Sequence, residues 1–251
     1  MAKIRKNIRR SKEHADPARR PRASRELEVL YEDDAVIVVN KPPGLLAVPI
    51  KGSHTPSALS MVSTHLKQQR ERALVVHRID RFVSGLLLFA KSMEDRETLV
   101  EQFLAHTPVR QYLAVVRGHL ETEAATLVHY FRREGMFQQL RTAKDPQATR
   151  AELRYSVEQL LSDASLVRVE LVTGLQNQIR VQFSAVGCPV IGDRKYNWSE
   201  SQERLIDRVA LHAAHMEFVH PRTGEKVSFD CEMPADLKYL IRELSPRNHP
   251  A

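Results

Sequence analysis

The chain has 251 residues, of which 42% are hydrophobic and 6% aromatic, a composition that can bury one large core or two small ones. Its apolar runs are too short to cross a membrane, and no signal-peptide region follows the N-terminus. Its two cysteines, Cys188 and Cys231, provide neither a disulfide framework nor a metal-ligand spacing. These features exclude a membrane protein and a disulfide-rich secreted domain, and they predict a cytoplasmic protein without a metal site.

The formal net charge of +7 is unevenly distributed along the chain. Residues 1–25 contain ten Lys or Arg and two acids, whereas the rest of the chain contains 28 basic and 29 acidic residues. The basic segment lacks apolar periodicity and contains Pro17 and Pro21, so we predict that residues 1–26 form a tail that is disordered in isolation. Residues 27–251 are then expected to form a single domain.

Seven segments have the composition of β-strands. Runs of β-branched or apolar residues predict buried strands, and the alternation of valines with Arg168 and Glu170 predicts a strand with one solvent-facing side. The predicted strands are 35–39, 86–90, 112–116, 151–157, 166–172, 212–219 and 226–231, the last two forming a hairpin.

Four segments have the periodicity and end signals of helices. Thr55-Pro56 resembles an N-cap followed by a first-turn proline, and Ser92 with Asp95 resembles a capping box. The predicted helices run from residue 56 to 66, from 93 to before Pro108, from 179 to 186, and from after Pro234 to 244. Strands and helices that do not alternate strictly, without an internal repeat, predict an α+β fold.

Residues 77–91 are the most informative segment of the chain. Asp80 is a lone carboxylate among His77, Arg78 and Arg81, shortly before an apolar strand. The neighbouring cations favour the ionised carboxylate, and the strand end provides a rigid mount. This arrangement suits a nucleophile or base that acts on an anionic polymer. The alternative is an aspartate that forms a turn or a solvated surface ion pair.

The segment His77-Arg78-Ile79-Asp80, with Ser84-Gly85-Leu86-Leu87-Leu88-Phe89-Ala90-Lys91, resembles the signature of the RluA-type RNA pseudouridine synthases. Further blocks resemble the family in the same order, at residues 34–46, 111–118, 173–196 and 211–221. The resemblance implies the pseudouridine-synthase fold. That fold is a long bent sheet, mixed but mostly antiparallel, with flanking helices and a central catalytic cleft.

The resemblance also implies an activity, the isomerisation of specific uridines in structured RNA, with rRNA favoured over tRNA. The uridine flips out of its stack, and the C1′–N1 glycosidic bond is exchanged for a C1′–C5 bond. No cofactor is implied, and the chain contains no glycine-rich phosphate loop and no dinucleotide motif. We expect a monomer that binds RNA, has no membrane partner and lacks the separate S4-type RNA-binding domain of many relatives.

Three residues match the catalytic positions of the family. The resemblance implies that Asp80 is the essential carboxylate, which either attacks C1′ or removes a proton from C2′. It implies that Arg180 pairs with Asp80, and that Tyr112 stacks on the uracil and takes part in removing the C5 proton. Without the resemblance, Arg180 would be interpreted as an exposed helical arginine and Tyr112 as a core aromatic residue.

Further residues are candidates for contact with RNA. The resemblance implies that Arg78 helps to fill the space that the flipped base vacates, and a phosphate contact is the simpler alternative. The other RNA-binding candidates are His77, Arg81, Lys41, Asn177 and Gln178. Lys41 and Lys91, which follow the first two predicted strands, are either RNA contacts or structural residues.

The chain departs from the family pattern at two places. Val83 stands where the family usually has threonine, and Leu175-Gln176-Asn177 replaces the usual Arg-Thr-His. The second change removes a cation and an imidazole, and Asn177 can form hydrogen bonds but carries no charge. We expect the chemistry to survive because the three catalytic matches remain, whereas the grip on RNA near the site is expected to change.

Other functions compete with an isomerase. A catalytically weak RNA-binding or ribosome-assembly factor that retains the fold is motivated by the change at residues 175–177. A glycoside hydrolase is disfavoured because no second carboxylate has a comparable context. The basic tail is interpreted as an arm that binds RNA phosphates, with a solubilising tail or an organelle transit peptide as the alternatives.

Overall fold

A computed structural model describes residues 27–67, 69, 71–135, 137–196 and 205–246. The predicted basic tail at residues 1–26 lies outside the described residues. The strands are β1 (Glu28–Glu32), β2 (Val36–Lys41), β3 (Leu74–Val75), β4 (Ser84–Ala90), β5 (Val109–Arg117), β6 (Ala124–Glu134), β7 (Phe137–Arg141), β8 (Thr149–Leu160), β9 (Ala164–Leu171), β10 (Leu211–Val219) and β11 (Lys226–Asp230). The helices are α1 (Ala58–Lys67), α2 (Met93–Leu104), α3 (Gln178–Ala185) and α4 (Ala235–Leu244).

These strands belong to one sheet, in the spatial order β1-β2-β4-β10-β5-β9-β8-β6-β7, with β11 paired to β10 and β3 to β4. Neighbours run antiparallel except β4 and β10, which are parallel. A mixed, mostly antiparallel sheet with a few helices confirms the predicted α+β class.

The predicted strands and helices are all present, with their ends shifted by a few residues. The predicted capping box is also confirmed, since the Ser92 hydroxyl oxygen accepts from the backbone N–H of Asp95 at 3.1 Å at the start of α2. Four strands, β1, β3, β6 and β7, were not predicted. The β6–β7 hairpin is mostly exposed or half-buried and rich in charge, so it lacks the apolar run that marks a buried strand.

Strands β2 and β4 are buried on both faces, which explains why they read as continuous apolar runs. On one face, Ile37 and Phe89 pack in a cluster with Val62 of α1. On the other face, Val38 and Leu88 join the larger core that α2, α3 and α4 cover. The loop that precedes β4 is therefore attached to one of the most deeply buried strands of the protein.

Ser84 and Gly85 form the beginning of β4, where the parallel contact with β10 is made. Gly85 has a φ of 107°, and a Cβ there would lie 2.1 Å from the carbonyl oxygen of Ala213. The Ser84 hydroxyl lies 2.9 Å from Nδ1 of His212, whose Nε2 lies 3.1 Å from the Cys231 carbonyl oxygen. Since Nε2 must donate to that carbonyl, Nδ1 accepts from Ser84.

Candidate active site

Asp80 lies in the loop between β3 and β4, and backbone contacts hold this loop in place. The Val83 N–H donates to the Asp80 carbonyl at 3.1 Å, which closes a tight turn. The Gly44 N–H donates to the Arg81 carbonyl at 2.8 Å, and Arg81 Nε donates back to the Gly44 carbonyl at 2.9 Å. The turn after β2 is thereby joined to the loop that carries the carboxylate.

Lys41 also joins the turn after β2 to the loop that carries Asp80. Its side chain is fully buried, and Nζ donates to the carbonyls of Pro42, Leu45 and Arg81 at 3.0, 2.9 and 3.1 Å. Burial lowers the pKa of Lys41 to about 7, and the charge of Asp80 partly opposes that shift. Of the two roles expected for Lys41, this geometry favours the structural one.

Arg180, in the first turn of α3, reaches Asp80 as the resemblance implied. Nη1 donates to Asp80 Oδ2 at 2.8 Å, and the two side chains are 10% and 27% exposed. The remaining donors bind Asp193, with Nε to Oδ2 at 2.7 Å and Nη2 to Oδ1 at 2.6 Å. Burial opposes the charge, but hydrogen bonds and charge from Asp193 and Asp80 raise the pKa of Arg180 above its usual value. The guanidinium is therefore a permanent cation shared by two carboxylates.

Asn177 and Tyr196 surround the same guanidinium. Asn177 Oδ1 accepts from Arg180 Nη1 at 2.8 Å, and its Nδ2 donates to the Tyr196 hydroxyl at 3.1 Å. The Tyr196 ring lies against the guanidinium, with 5.2 Å from Cζ to the ring centroid. Asn177 has a φ of 56°, a left-handed conformation that asparagine tolerates better than most residues. Its side chain supports Arg180 rather than pointing out of the protein.

Tyr112 lies in the middle of the sheet, on β5 between β10 and β9. Burial raises the pKa of its hydroxyl, the charge of Arg110 opposes that shift, and the charge of Asp80 adds to it. Tyr112 is thus within electrostatic reach of Asp80 and stays protonated at neutral pH. Of the three residues matched to catalytic positions, Asp80 and Arg180 are joined by a hydrogen bond, and Tyr112 is linked to them by the effect of the Asp80 charge on its pKa.

Comparison with known proteins shows the family to which this chain belongs. A family model of the RNA pseudouridylate synthases matches residues 35–185. The ribosomal large subunit pseudouridine synthase D of Zymomonas mobilis is 34% identical over 234 residues, which cover 88% of this chain and 74% of that protein. The chain belongs to the RluA-type family of RNA pseudouridine synthases. It is therefore an RNA pseudouridine synthase, an isomerase.

Other similar proteins agree with this assignment. YlyB of Bacillus subtilis, an uncharacterised RNA pseudouridine synthase, is 35% identical over 224 residues, covering 87% of this chain and 73% of that protein. Human RNA Pseudouridylate Synthase Domain Containing 4 has the same fold, with a TM-score of 0.72 at 20% identity over 86% of this chain and 92% of that one. Its Domain Containing 1 counterpart gives 0.69 at 23% identity over 86% of each chain.

Two residues of this pseudouridine synthase that were predicted to contact RNA have their polar groups engaged within the protein, the half-buried His77 and the buried Gln178. His77 stacks on Phe103 with 4.8 Å between ring centroids, and its Nε2 accepts from the Leu88 N–H at 3.2 Å. Burial lowers the pKa of His77 to about 3, with a further contribution from the charge of Arg110. A neutral, stacked imidazole favours a structural role for His77 over a phosphate contact.

Gln178 is the second such residue, at the start of α3. Its Nε2 donates to the Glu152 carbonyl and to Gln182 Oε1, both at 2.9 Å. Its Oε1 accepts from the Thr173 hydroxyl at 2.8 Å and from the Leu175 N–H at 2.9 Å. All four hydrogen-bonding positions of the amide are therefore used within the protein, two by the loop before α3, one by β8 and one by α3 itself.

Lys91 also has a structural environment. Its ammonium group pairs with Glu32 at 2.8 Å and with Glu71 at 2.6 Å, and its side chain is almost completely buried. Burial opposes the charge of Lys91, but the hydrogen bonds and charges of these two carboxylates raise its pKa. Of the two roles expected for this residue, the geometry again favours the structural one.

The exposed rim of the Asp80 loop consists of Arg78, Arg81 and Phe82. Phe82 is 47% exposed, and the Arg81 guanidinium lies over its ring, 5.4 Å from the centroid. Sequence reasoning missed Phe82, although an aromatic residue that follows an arginine, two positions after the implied catalytic carboxylate, is a signal for base stacking. It also missed Asp193 and Tyr196 as the partners that hold Arg180.

Within the described parts of the chain, no cluster of His, Cys, Asp and Glu has the arrangement of a metal site. The helices in those parts include none with the length and apolar character needed to span a bilayer.

Proposed function

We propose that this enzyme converts uridine to pseudouridine in ribosomal RNA, with Asp80 as the catalytic carboxylate. The main observation in support is the 2.8 Å hydrogen bond that Arg180 Nη1 donates to Asp80 Oδ2. It joins the two implied catalytic groups, which are 100 residues apart in the sequence. The ribosomal RNA substrate is supported by the name of the Zymomonas mobilis relative, a ribosomal large subunit pseudouridine synthase. The enzyme is expected to act in the cytoplasm, as a monomer and without a cofactor.

The chemistry requires an ionised carboxylate beside the sugar of the target uridine. Arg180 binds Oδ2 of Asp80, and Oδ1 has no hydrogen-bond partner among the residues that the structure describes. Oδ1 is therefore free either to attack C1′ or to take the proton from C2′, and both routes release the uracil from C1′. The uracil then turns and rejoins C1′ through C5, after which the C5 proton is removed.

Arg180 and Tyr112 have separate parts in this scheme. Arg180 holds the carboxylate in one rotamer through a charge-assisted hydrogen bond. Tyr112 provides a ring for the uracil to stack on and takes part in the removal of the C5 proton. Because its hydroxyl is protonated at neutral pH, Tyr112 is suited to hydrogen bonding rather than to acting as a free phenolate base.

A uridine in folded RNA must leave its stack before it can reach Asp80, at a cost of a few kcal/mol. Arg78 and Phe82 are exposed next to Asp80 and can offset this cost. We expect Arg78 to fill the space that the flipped base vacates and Phe82 to stack on a neighbouring base. These two side chains come from the same loop as Asp80, so they would approach the RNA together.

The basic segment at residues 1–25 is assigned to binding RNA phosphates. Each neutralised phosphate releases counterions, so affinity should fall steeply with salt. Deleting residues 1–25 is expected to weaken RNA binding and flatten its salt dependence, with the single-turnover rate at saturating RNA unchanged. An unchanged salt dependence would exclude an RNA arm.

Mapping pseudouridines in cells tests the proposed function. Carbodiimide treatment and primer extension would be applied to ribosomal RNA and tRNA from cells that lack the protein, and from cells rescued with wild type, Asp80→Ala or Asp34→Ala. Asp34 is an exposed carboxylate outside the site and serves as the matched control. We expect a ribosomal RNA stop that wild type and Asp34→Ala restore and Asp80→Ala does not.

Two results would overturn the proposal. Restoration by Asp80→Ala would show that this carboxylate is not catalytic. A missing stop confined to tRNA would show that ribosomal RNA is the wrong substrate. A catalytically weak binding factor has less support, because Asp80, Tyr112 and Arg180 are all retained and a hydrogen bond joins Asp80 to Arg180.

A further inference from the structure

Arg110 is a buried arginine that has no carboxylate partner among the residues that the structure describes. It is 7% exposed and lies on β5 two residues before Tyr112, so both side chains project from the same face of the sheet. Among the described residues its one hydrogen bond is a long contact of 3.5 Å from Nη2 to the Leu171 carbonyl. Its Nε is buried and has no hydrogen-bond partner in the described structure.

The other two buried arginines of the described chain are paired very differently. Arg180 is bound by both oxygens of Asp193, and Arg208 is bound by both oxygens of Asp236 at 2.6 and 2.9 Å. A carboxylate partner offsets the desolvation cost of a buried guanidinium, whereas an isolated buried charge destabilises the fold. Arg110 is therefore the exception that requires an explanation.

The surroundings of Arg110 are apolar or uncharged. Its guanidinium lies 5.6 Å from the centroid of the Phe103 ring, and the nearby His77 is neutral because burial, with a further contribution from the charge of Arg110, lowers its pKa. Burial also lowers the pKa of Arg110 itself. These neighbours leave the cation without an anion from the described part of the protein.

Gly174 gives the guanidinium a path to the surface. A Cβ on Gly174 would lie 2.6 Å from Nη1 of Arg110, so a side chain at this position would cover the nitrogen. Gly174 is exposed, which places Nη1 directly beneath a part of the surface that has no side chain. An anion on the RNA can approach Arg110 at this point.

We propose that Arg110 binds a backbone phosphate of the RNA next to the target uridine. The planar fork of a guanidinium matches two phosphate oxygens, and RNA supplies a phosphate at every nucleotide. Residues two apart on a strand are separated by about 7 Å, a distance that one nucleotide can span between Tyr112 and Arg110. This inference rests on the proposed function, because it places the uracil at Tyr112.

Arg110→Met in the full chain tests this assignment, with Arg154→Met as the control. Cross-strand register places Arg154 opposite Glu170, which lies opposite Gln111, so Arg154 belongs to the other face of the sheet from Arg110. Both variants lose one positive charge. We expect Arg110→Met to bind the RNA more weakly and to lower the slope of log affinity against log salt by about 0.7–0.9, with Arg154→Met close to wild type.

Two measurements separate phosphate binding from other roles. The single-turnover rate at saturating RNA should be unchanged in Arg110→Met, and a reduced rate with unchanged affinity would overturn the proposal in favour of a contact with the reacting base. An unchanged salt slope would also overturn it. If Arg110→Met does not fold, Arg110→Lys decides, because it keeps the charge but loses the fork. It should bind several-fold more weakly, and wild-type affinity would overturn the proposal.

The outcome does not depend on catalysis by Asp80. The same affinities and salt slopes can be measured with Arg110→Met in an Asp80→Ala background. Failure of the proposed function would appear as activity retained by Asp80→Ala, while failure of the phosphate contact would appear as an unchanged slope in both backgrounds.

Discussion

Asp193 holds the guanidinium of Arg180 through two hydrogen bonds, 2.7 Å from Nε and 2.6 Å from Nη2, and leaves Nη1 to bind Asp80. Asp193 is itself fixed, because its Oδ1 accepts from the backbone N–H groups of Lys195 and Tyr196 at 2.9 and 3.2 Å. Arg180 cannot turn away from Asp80 without breaking both hydrogen bonds to Asp193. Under the proposed function, Asp193 acts on the reaction through Arg180, as a positioning residue.

Asp193→Asn should lower the rate of the chemical step without weakening RNA binding. An amide can replace one acceptor oxygen but not both, so Arg180 loses a charge-assisted hydrogen bond worth about 1.5–3 kcal/mol. We expect the single-turnover rate at saturating RNA to fall by about 10–100-fold. The dissociation constant for RNA, measured on the same preparation, should stay near the wild-type value.

Asp236→Asn is the matched control for this variant. Asp236 forms the same two-oxygen pair with a buried arginine, Arg208, but that pair joins α4 to the chain before β10. Asp236→Asn should lower the melting temperature and leave the single-turnover rate of the folded protein unchanged. Equal rate losses in the two variants would mean that lost stability, rather than the position of Arg180, explains the effect of Asp193→Asn.

Asn177→Gly isolates the contribution of the Asn177 amide. Glycine adopts the φ of 56° without strain, so this variant removes the hydrogen bonds to Arg180 and Tyr196 and leaves the backbone as it is. With a loss of about 1 kcal/mol, the single-turnover rate should fall roughly fivefold. Asn177→Ala should show the same rate loss and a lower melting temperature, because alanine is strained at this φ. Wild-type turnover in Asn177→Gly would contradict a positioning role.

The sequence predicted the pair of Asp80 and Arg180 because both residues belong to motifs whose roles the family resemblance supplies. The role of Asp193 could not be derived in the same way, although the residue lies within one of the matched blocks. An aspartate after Gly192 is a common turn former, and only the packing of that turn against α3 brings its carboxylate to Arg180.

The basic residues show a second limit of sequence reasoning. His77, Lys41 and Arg78 all precede or follow strands near Asp80, and their residue types alone suggest contacts with RNA. The three residues differ in their environments. Lys41 donates to three backbone carbonyls and His77 is neutral, whereas Arg78 is exposed. Burial of a side chain at a loop depends on contacts between distant segments, and no local pattern encodes it.

Phe82→Leu should weaken RNA binding without changing stability. The ring is exposed, so its loss costs the fold little, whereas a base stacked on an aromatic ring contributes about 1–3 kcal/mol. We expect the dissociation constant for the target RNA to rise by roughly 5–150-fold. Phe82→Tyr keeps the ring and should bind as wild type does. Equal affinities for Phe82→Leu and Phe82→Tyr would exclude stacking at this position.

The stability of the protein should fall in acid partly because of His77. Its pKa is about 3 in the folded protein, whereas an unfolded histidine titrates near about 6.5. Between these values the unfolded chain binds more protons at this residue than the folded chain does. The free energy of unfolding therefore decreases as the pH falls through this window, and the contribution is fully present above the unfolded pKa.

His77→Gln tests this assignment, because glutamine does not titrate and its Oε1 can still accept from the Leu88 N–H. Urea unfolding of both proteins between about pH 7 and pH 4 should show a shallower loss of stability in His77→Gln than in wild type. The carboxylates contribute equally to both profiles, so the difference between them isolates His77. His54→Gln, at an exposed histidine, should follow the wild-type profile. Parallel profiles for His77→Gln and wild type would contradict a buried neutral imidazole.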